Sequence, residues 1–184
     1  ADPEEWLGRT TAREMARLRY GPATRVLLQF DRRFWKRPGR PSAFASAREH
    51  GAIWDANEQQ RGPMGILSLL AGGRASAGLA RVIDREGVDG VVRRLRWLGR
   101  PGTLLESRVV RWESDPWARG GYAFFDPGFD LRLRDALARP AGRVVFAGEH
   151  TSVRWQGYMN GAVESGQRAA AEIAALSSST RSRS

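Results

Sequence analysis

Residues 144–166, VVFAGEHTSVRWQGYMNGAVESG, decide how the chain folds. The apolar run Val144-Val145-Phe146 has the composition of a buried strand of a parallel sheet, and it delivers Ala147-Gly148-Glu149 to a loop. Gly157 then frames a turn. Beyond it Met159, Ala162, Val163, Ala170 and Ile173 line one face of a helix that runs to about Leu176. Strand, loop and helix in that order place Glu149 just past a strand end, where α/β folds put their ligand crevice. The small residues let backbone approach a flat or polyphosphate ligand, and the free amides and positive dipole of a helix start favour an anionic group. The same residues equally suit a plainer arrangement, in which Gly148 only lets the helix pack closely and Glu149 only caps backbone.

Moving upstream, Arg143–Phe146 follows a short helix expected over Asp130–Ala138, and Gly120-Gly121 ahead of Tyr122, Phe124 and Phe125 marks a close backbone approach. Leu104–Trp112 reads as a strand. Leu79, Val82, Ile83, Val88, Val91, Val92 and Leu95 have helical spacing interrupted near Gly87, so 74–98 is two helices or one broken one. Residues 24–30, 51–56 and 64–71 are apolar runs bounded by Gly and Pro. They are expected in one mainly antiparallel sheet, with the 74–98 helices packed beside it. Residues 2–20 open with Asp-Pro-Glu-Glu and continue as a helix, and 177–184, SSSTRSRS with its preceding Leu176, reads as a disordered tail.

Composition narrows the function. The chain has 184 residues with 41% hydrophobic and 27% charged content, which suits one buried core and neither a disordered chain nor a membrane protein. No apolar run approaches the roughly 20 residues of a membrane span, and ADPEEWLGRT lacks the character of a signal peptide, so a cytoplasmic location is expected. The absence of Cys excludes disulfides, thiolate metal sites and a cysteinyl-linked cofactor in these residues. His50 and His150 are the only imidazoles, and no metal site is expected of them. A net charge of +10 points toward nucleic acid. Yet Lys36 is the single lysine among 30 basic residues and the arginines are scattered from Arg9 to Arg183 rather than gathered in a stripe, so nucleic acid is not the expected partner.

The longer stretch 146–173, FAGEHTSVRWQGYMNGAVESGQRAAAEI, resembles the C-terminal FAD-binding signature of the flavin-containing amine oxidases, the family of monoamine, polyamine and L-amino-acid oxidases. Trp112-Glu113-Ser114-Asp115-Pro116-Trp117 and Gly120-Gly121-Tyr122 look like that family's tryptophan and Gly-Gly segment, and Arg25–Trp35 resembles the strand entering its substrate domain. The resemblance implies an α/β fold: an α+β substrate part over residues 1–105, and over 106–176 the C-terminal part of a Rossmann-like FAD-binding domain, followed by the tail at 177–184. It implies that Gly148 and Glu149 contact the FAD linker and that Gly157, Tyr158, Met159, Asn160, Gly161 and Ala162 bring amides to the pyrimidine edge of the flavin, where reduction places negative charge. A helix dipole there is chemically sensible. Trp112 would flank the isoalloxazine, and Tyr158 would form one wall of the aromatic pair that guides an amine substrate.

Three departures from the family pattern matter. Arg25 stands at the family lysine, ten residues before Trp35, and an arginine lacks the compact geometry and readily shifted pKa with which a lysine holds a water. It is a doubtful catalytic residue. Tyr122 and Ala123 stand where covalently flavinylated members have Cys and Tyr, so the FAD is expected to be noncovalent and the second wall falls to Phe124. Finally, no Gly cluster, GRASAG at 73–78 included, has the strand, helix and spacing of a dinucleotide fingerprint. The expected enzyme oxidises a C–N bond by hydride transfer to FAD, with this chain as its C-terminal fragment, inactive without an N-terminal FAD-binding half. Its rivals are a non-catalytic interaction subunit or degenerate relative and an Arg-rich nucleic-acid binder, and the resemblance does not distinguish amine oxidases from related flavin desaturases and porphyrinogen oxidases.

Overall fold

Alternation along Ala23–Phe30 sends Thr24, Val26, Leu28 and Phe30 to one face and Arg25, Leu27 and Gln29 to the other, the period-two pattern of a half-buried strand. In a computed structural model, which describes residues 7–129 and 131–181, this strand (β2) lies inside a five-stranded sheet. Chain order around it is α1 (Arg9–Arg17), β1 (Arg19–Tyr20), β2, β3 (Ala43–Ala45), β4 (Ala52–Asp55), β5 (Gly65–Gly72), α2 (Gly73–Arg94), β6 (Leu104–Arg111), β7 (Ala123–Phe124) and α3 (Met159–Arg181), with short 3-10 turns between.

The chain forms two compact units, residues 21–121 and residues 1–20 with 122–184. The first holds the sheet, ordered β3-β4-β5-β2-β6 with every strand pair antiparallel. Its buried face meets α2: Val26, Leu28, Phe30, Leu67 and Leu69 pack with Leu79, Val82, Val91 and Leu95 in one core that also takes in Trp35 and Ile53. Thr24 Oγ1 and Ser76 Oγ share a buried 2.8 Å hydrogen bond that ties the helix start to the sheet. Gly87 interrupts α2 with φ 66° and ψ −169°, a conformation nearly confined to glycine, so the expected break falls on the expected residue. The antiparallel sheet with a helix beside it agrees with the reading of 24–30, 51–56 and 64–70.

The second unit contains a two-stranded antiparallel pair, β1 with β7, along with α1 and α3. Among the described residues its buried apolar side chains are few: Leu7, Ala123, Phe129, Ala136, Leu137 and Ala169.

Several expectations are corrected. Residues 143–146 form no strand; Val144 makes one isolated bridge to Ala141 and is exposed. A strand exists only where a neighbour accepts its ladder, and the described residues of this unit offer RVVF no such neighbour. The boundary drawn at 105/106 cuts β6, which stays paired with β2 as far as Arg111. The helix over 130–138 is a 3-10 turn at Leu131–Leu137, and Asp130 itself lies outside the described residues. α3 runs to Arg181, through residues assigned to the tail. The expected helix over 2–20 is observed as Arg9–Arg17, with residues 2–6 outside the described set. Gly73 of GRASAG does follow a strand and open a helix, but the strand is antiparallel and the glycines at 72, 73 and 78 lack fingerprint spacing.

Candidate functional site

The loop from Ala147 to Tyr158 has almost no regular structure of its own, so side chains must satisfy its backbone. Glu149 does most of this. Its Oε1 accepts the N–H of Ala123 at 2.7 Å and its Oε2 accepts the N–H of Gly157 at 2.7 Å, so one carboxylate ties the loop's start to β7 and to the glycine turn at its end. Gly157 takes φ 78°, and a Cβ there would meet nothing within 4 Å, so the turn demands glycine for its backbone alone and leaves open space beside it. A carboxylate has about four lone-pair sites; Glu149 therefore keeps acceptor capacity after these two bonds. Of the two arrangements left open by the sequence, the backbone-capping one is the arrangement observed.

Other pins come from α3 and the 3-10 turns. Gly148 N donates to Ser165 Oγ at 2.9 Å. Arg168 Nη2 donates to Phe146 O at 2.8 Å and Thr151 Oγ1 at 3.1 Å, while its Nη1 donates to Ala138 O at 2.7 Å and pairs with Glu172. Arg134 Nη2 donates to Ser152 O and to Gln156 Oε1, and Gln156 Nε2 donates back to Ala123 O at 3.0 Å. None of Ser165, Arg168, Arg134 and Gln156 was singled out from sequence. Ser165 and Arg168 are three residues apart on α3 and thus share a face, a polar pair interrupting an otherwise small-residue surface, which is the one local signal they carry.

At the start of α3 the amides of Gly161 and Ala162 bond to Tyr158 O, at 3.0 and 3.3 Å. The N–H groups of Met159 and Asn160 meet no acceptor among the described residues, and Met159 is 86% exposed and Tyr158 65%. Gly161 is packed so closely that an added Cβ would collide with the carbonyl of Trp155. Tyr158 meets Trp155 edge-on, with centroids 6.3 Å apart. Phe124, also exposed, has no ring contact with Tyr158 among the described residues. The structure thus gathers Gly148, Glu149 and Gly157–Ala162 into one held loop and helix start, and leaves the proposed second aromatic wall apart from the first.

A polar pair that sequence reading missed joins the loop to β1. Tyr20 Oη and His150 Nδ1 share a 2.9 Å hydrogen bond. Burial raises the Tyr20 pKa, with the Glu149 charge adding to the rise, and burial lowers that of His150 against the opposing pull of Glu149. Burial thus favours the neutral form of each.

Arg25 and Trp112 belong to the sheet unit. Arg25 Nε donates to Ser68 Oγ at 3.3 Å and its guanidinium lies 5.3 Å from the Trp54 ring centroid. Trp112 opens a 3-10 turn after β6 and is 39% exposed, so it is not a core aromatic. No described helix is long and apolar enough to cross a membrane.

Comparison with known proteins matches residues 2–174 to the family model described as flavin containing amine oxidoreductase. The chain is 30% identical over 168 residues to an L-amino acid dehydrogenase of Synechocystis sp., covering 87% of this chain and 35% of that protein. It is 30% identical over 151 residues to polyamine oxidase 1 of Zea mays, covering 78% and 30%. Among solved structures, cyclohexylamine oxidase from Brevibacterium oxydans superposes with a TM-score of 0.80 at 27% identity, over 91% of this chain and 38% of the other. The chain thus spans about a third of the length of the relatives it matches.

Proposed function

The chain belongs to the flavin-containing amine oxidoreductase family, and from that premise we propose that it forms the C-terminal part of an FAD-dependent enzyme that oxidises the C–N bond of an amine or amino acid. The observation that carries the reading is the held start of α3. The N–H groups of Met159 and Asn160 meet no acceptor among the described residues, they stand at the positive end of a 23-residue helix, and the Cβ position of nearby Gly157 is open. Those donors and that space fit the pyrimidine edge of a noncovalently held flavin. When bound, the flavin supplies the hydride acceptor, and the imine released is hydrolysed in water.

Each residue has a distinct part in this reading. Glu149 fixes Gly157 through its N–H and so aims the amides of Met159 and Asn160. Those amides, with the helix dipole behind them, stabilise negative charge at the edge they face. Tyr158 offers an exposed aromatic wall for the neutral amine. Trp112, on the other unit, is assigned to flank the ring on the strength of the family resemblance alone, and Arg25 in place of the family lysine leaves dehydrogenase or desaturase chemistry as compatible as oxidase chemistry.

The residues described include no glycine-rich cradle for a pyrophosphate, and we propose that a further polypeptide segment carries it. Without that cradle FAD forgoes several charge-assisted amide contacts of about 1.5–3 kcal/mol each, a loss of many orders of magnitude in affinity. The 184-residue chain should then purify colourless and leave FAD fluorescence unchanged on titration. Supplying a family N-terminal segment with the fingerprint should restore a yellow complex that bleaches with an amine or amino acid. Stoichiometric FAD on the chain alone would refute the shared cofactor site. A colourless complex even with the segment supplied would favour the rival reading, a non-catalytic relative that keeps the fold.

A further inference from the structure

One concave surface of the sheet unit stands apart by its charge. Where α2 ends and the chain turns toward β6, a cleft of about 560 Å³ is lined by Val92, Arg93, Arg96, Gly99, Arg100 and Pro101. Its wall carries three guanidinium groups and no carboxylate. Arg37 reaches the same rim, its Nη2 lying 3.6 Å from the place a Cβ on Gly99 would occupy. Arg93 is held by Glu86 at 2.8 Å, whereas the side chains of Arg96 and Arg100 pair with no carboxylate among the described residues. The backbone under Arg100 is fixed, because Arg32 Nη2 donates to the carbonyls of both Arg100 and Pro101 at 3.3 Å.

Two ordinary explanations fall short. Arginines in a last helical turn offset the helix dipole, but that end carries only about half an elementary charge. Arg93 and Arg94 already stand in the last turn of α2, while Arg96 and Arg100 follow it. Glu86 supplies one negative charge and is shared between Arg93 and Arg94. Arg94 also pairs with Glu49 at 3.1 Å, so three guanidinium groups, those of Arg37, Arg96 and Arg100, remain exposed and without a carboxylate partner among the described residues around one cavity, a local excess of positive charge that an anion would offset. Liquid water occupies about 30 Å³ per molecule, so the cleft has room for much more than a single phosphoryl group. Planar guanidinium forks match phosphoryl oxygens two at a time.

We propose that this cleft binds a compact oligoanion carrying two or three phosphoryl groups, with Arg96 and Arg100 as its principal ligands and Arg37 and Arg93 closing the rim. The proposal is independent of the flavin reading and involves none of its residues.

The test is calorimetric titration of the full chain with inorganic tripolyphosphate at about 0.15 M salt, where exposed long-range charge effects are largely screened. One saturable event with one ligand per chain is expected. Arg96→Ala with Arg100→Ala should weaken it by roughly tenfold or more, since each charge-assisted fork is worth about twice an ordinary hydrogen bond. Arg96→Lys with Arg100→Lys keeps the charge without the fork and should fall between. The control pair Arg61→Ala with Arg108→Ala, exposed on the same unit, should leave affinity within about twofold of the parent. Equal losses in the cleft and control pairs, or binding that never saturates, would overturn the proposal. So would a single-stranded oligonucleotide that binds more tightly per phosphate than tripolyphosphate and loses affinity equally in both pairs, because that outcome assigns the charge to an extended surface. Matching circular dichroism melts of the variants separate lost binding from lost folding.

Discussion

Glu149 is the residue on which the candidate site turns, because its two oxygens bond backbone groups at both ends of one loop. Glu149→Ala leaves the part-buried Ala123 N–H and the exposed Gly157 N–H without their acceptor, so it should lower stability by about 1–3 kcal/mol, chiefly through Ala123, and calorimetric melting measures that loss. Glu149→Gln keeps one acceptor oxygen and should cost less. If the alanine variant melts like the parent, the carboxylate does not hold the loop. His150 gives a second prediction, with a definite sign. Burial lowers its pKa below the ordinary 6.5, so the unfolded chain takes up the proton at a higher pH than the folded chain does. Its contribution to stability is complete above about pH 6.5 and declines as the pH falls below it. His50 adds the same sign through burial, with Arg48 and Arg94 assisting and Glu49 opposing. Melting temperature should therefore drop between about pH 7 and pH 5, and His150→Gln should flatten part of that drop while leaving the His50 part in place. Tyr20 works at the other extreme: its raised pKa favours the folded state only until the phenol of the unfolded chain, ordinarily near 10, begins to ionise.

At the scale of elements, α2 and α3 show opposite uses of glycine. Gly87 sits where a Cβ would touch nothing within 4 Å, so Gly87→Ala costs backbone strain alone, about 1–3 kcal/mol. Gly161→Ala instead drives a methyl into the Trp155 carbonyl and should unseat the first turn of α3, with a larger loss seen as a lower melting temperature and weaker Tyr158–Trp155 contact by fluorescence. The reverse ranking of the two variants would contradict this account. These elements were legible in unequal degree. β2, β4, β5, β6 and α2 declare themselves because each carries its burial pattern within its own residues, as Val26, Leu28 and Phe30 do. β3 has three residues, Ala-Phe-Ala, too short to show a period, and it exists by pairing with β4. RVVF at 143–146 errs the other way, strand-like in composition and without a neighbour to pair with. The glycines and Glu149 of the site were visible in the local motif. Tyr20 and Arg134 were not, since they reach the loop from 130 and 18 residues away and nothing local marks them.

For the whole molecule, the excess of positive charge gives a prediction that needs no ligand. With a formal net charge of +10, self-repulsion opposes compaction, so moderate salt should raise the melting temperature before any specific effect appears. A melting temperature that is flat or falling with added sodium chloride would count against it. The central strand carries a further consequence, one of timing. β2 is made before both of its partners, β5 and β6, and Thr24 sits opposite Ala71 on one flank and Arg111 on the other. On a ribosome, Val26, Leu28 and Phe30 therefore emerge long before the strand that closes their second edge has been synthesised. Contacts of such separation are paid for in loop-closure entropy before they return any stability. The sheet should consequently be slow to complete, and during elongation a nascent chain that ends before residue 104 should expose an open β2 edge that binds holdase chaperones, while one released past residue 111 should not.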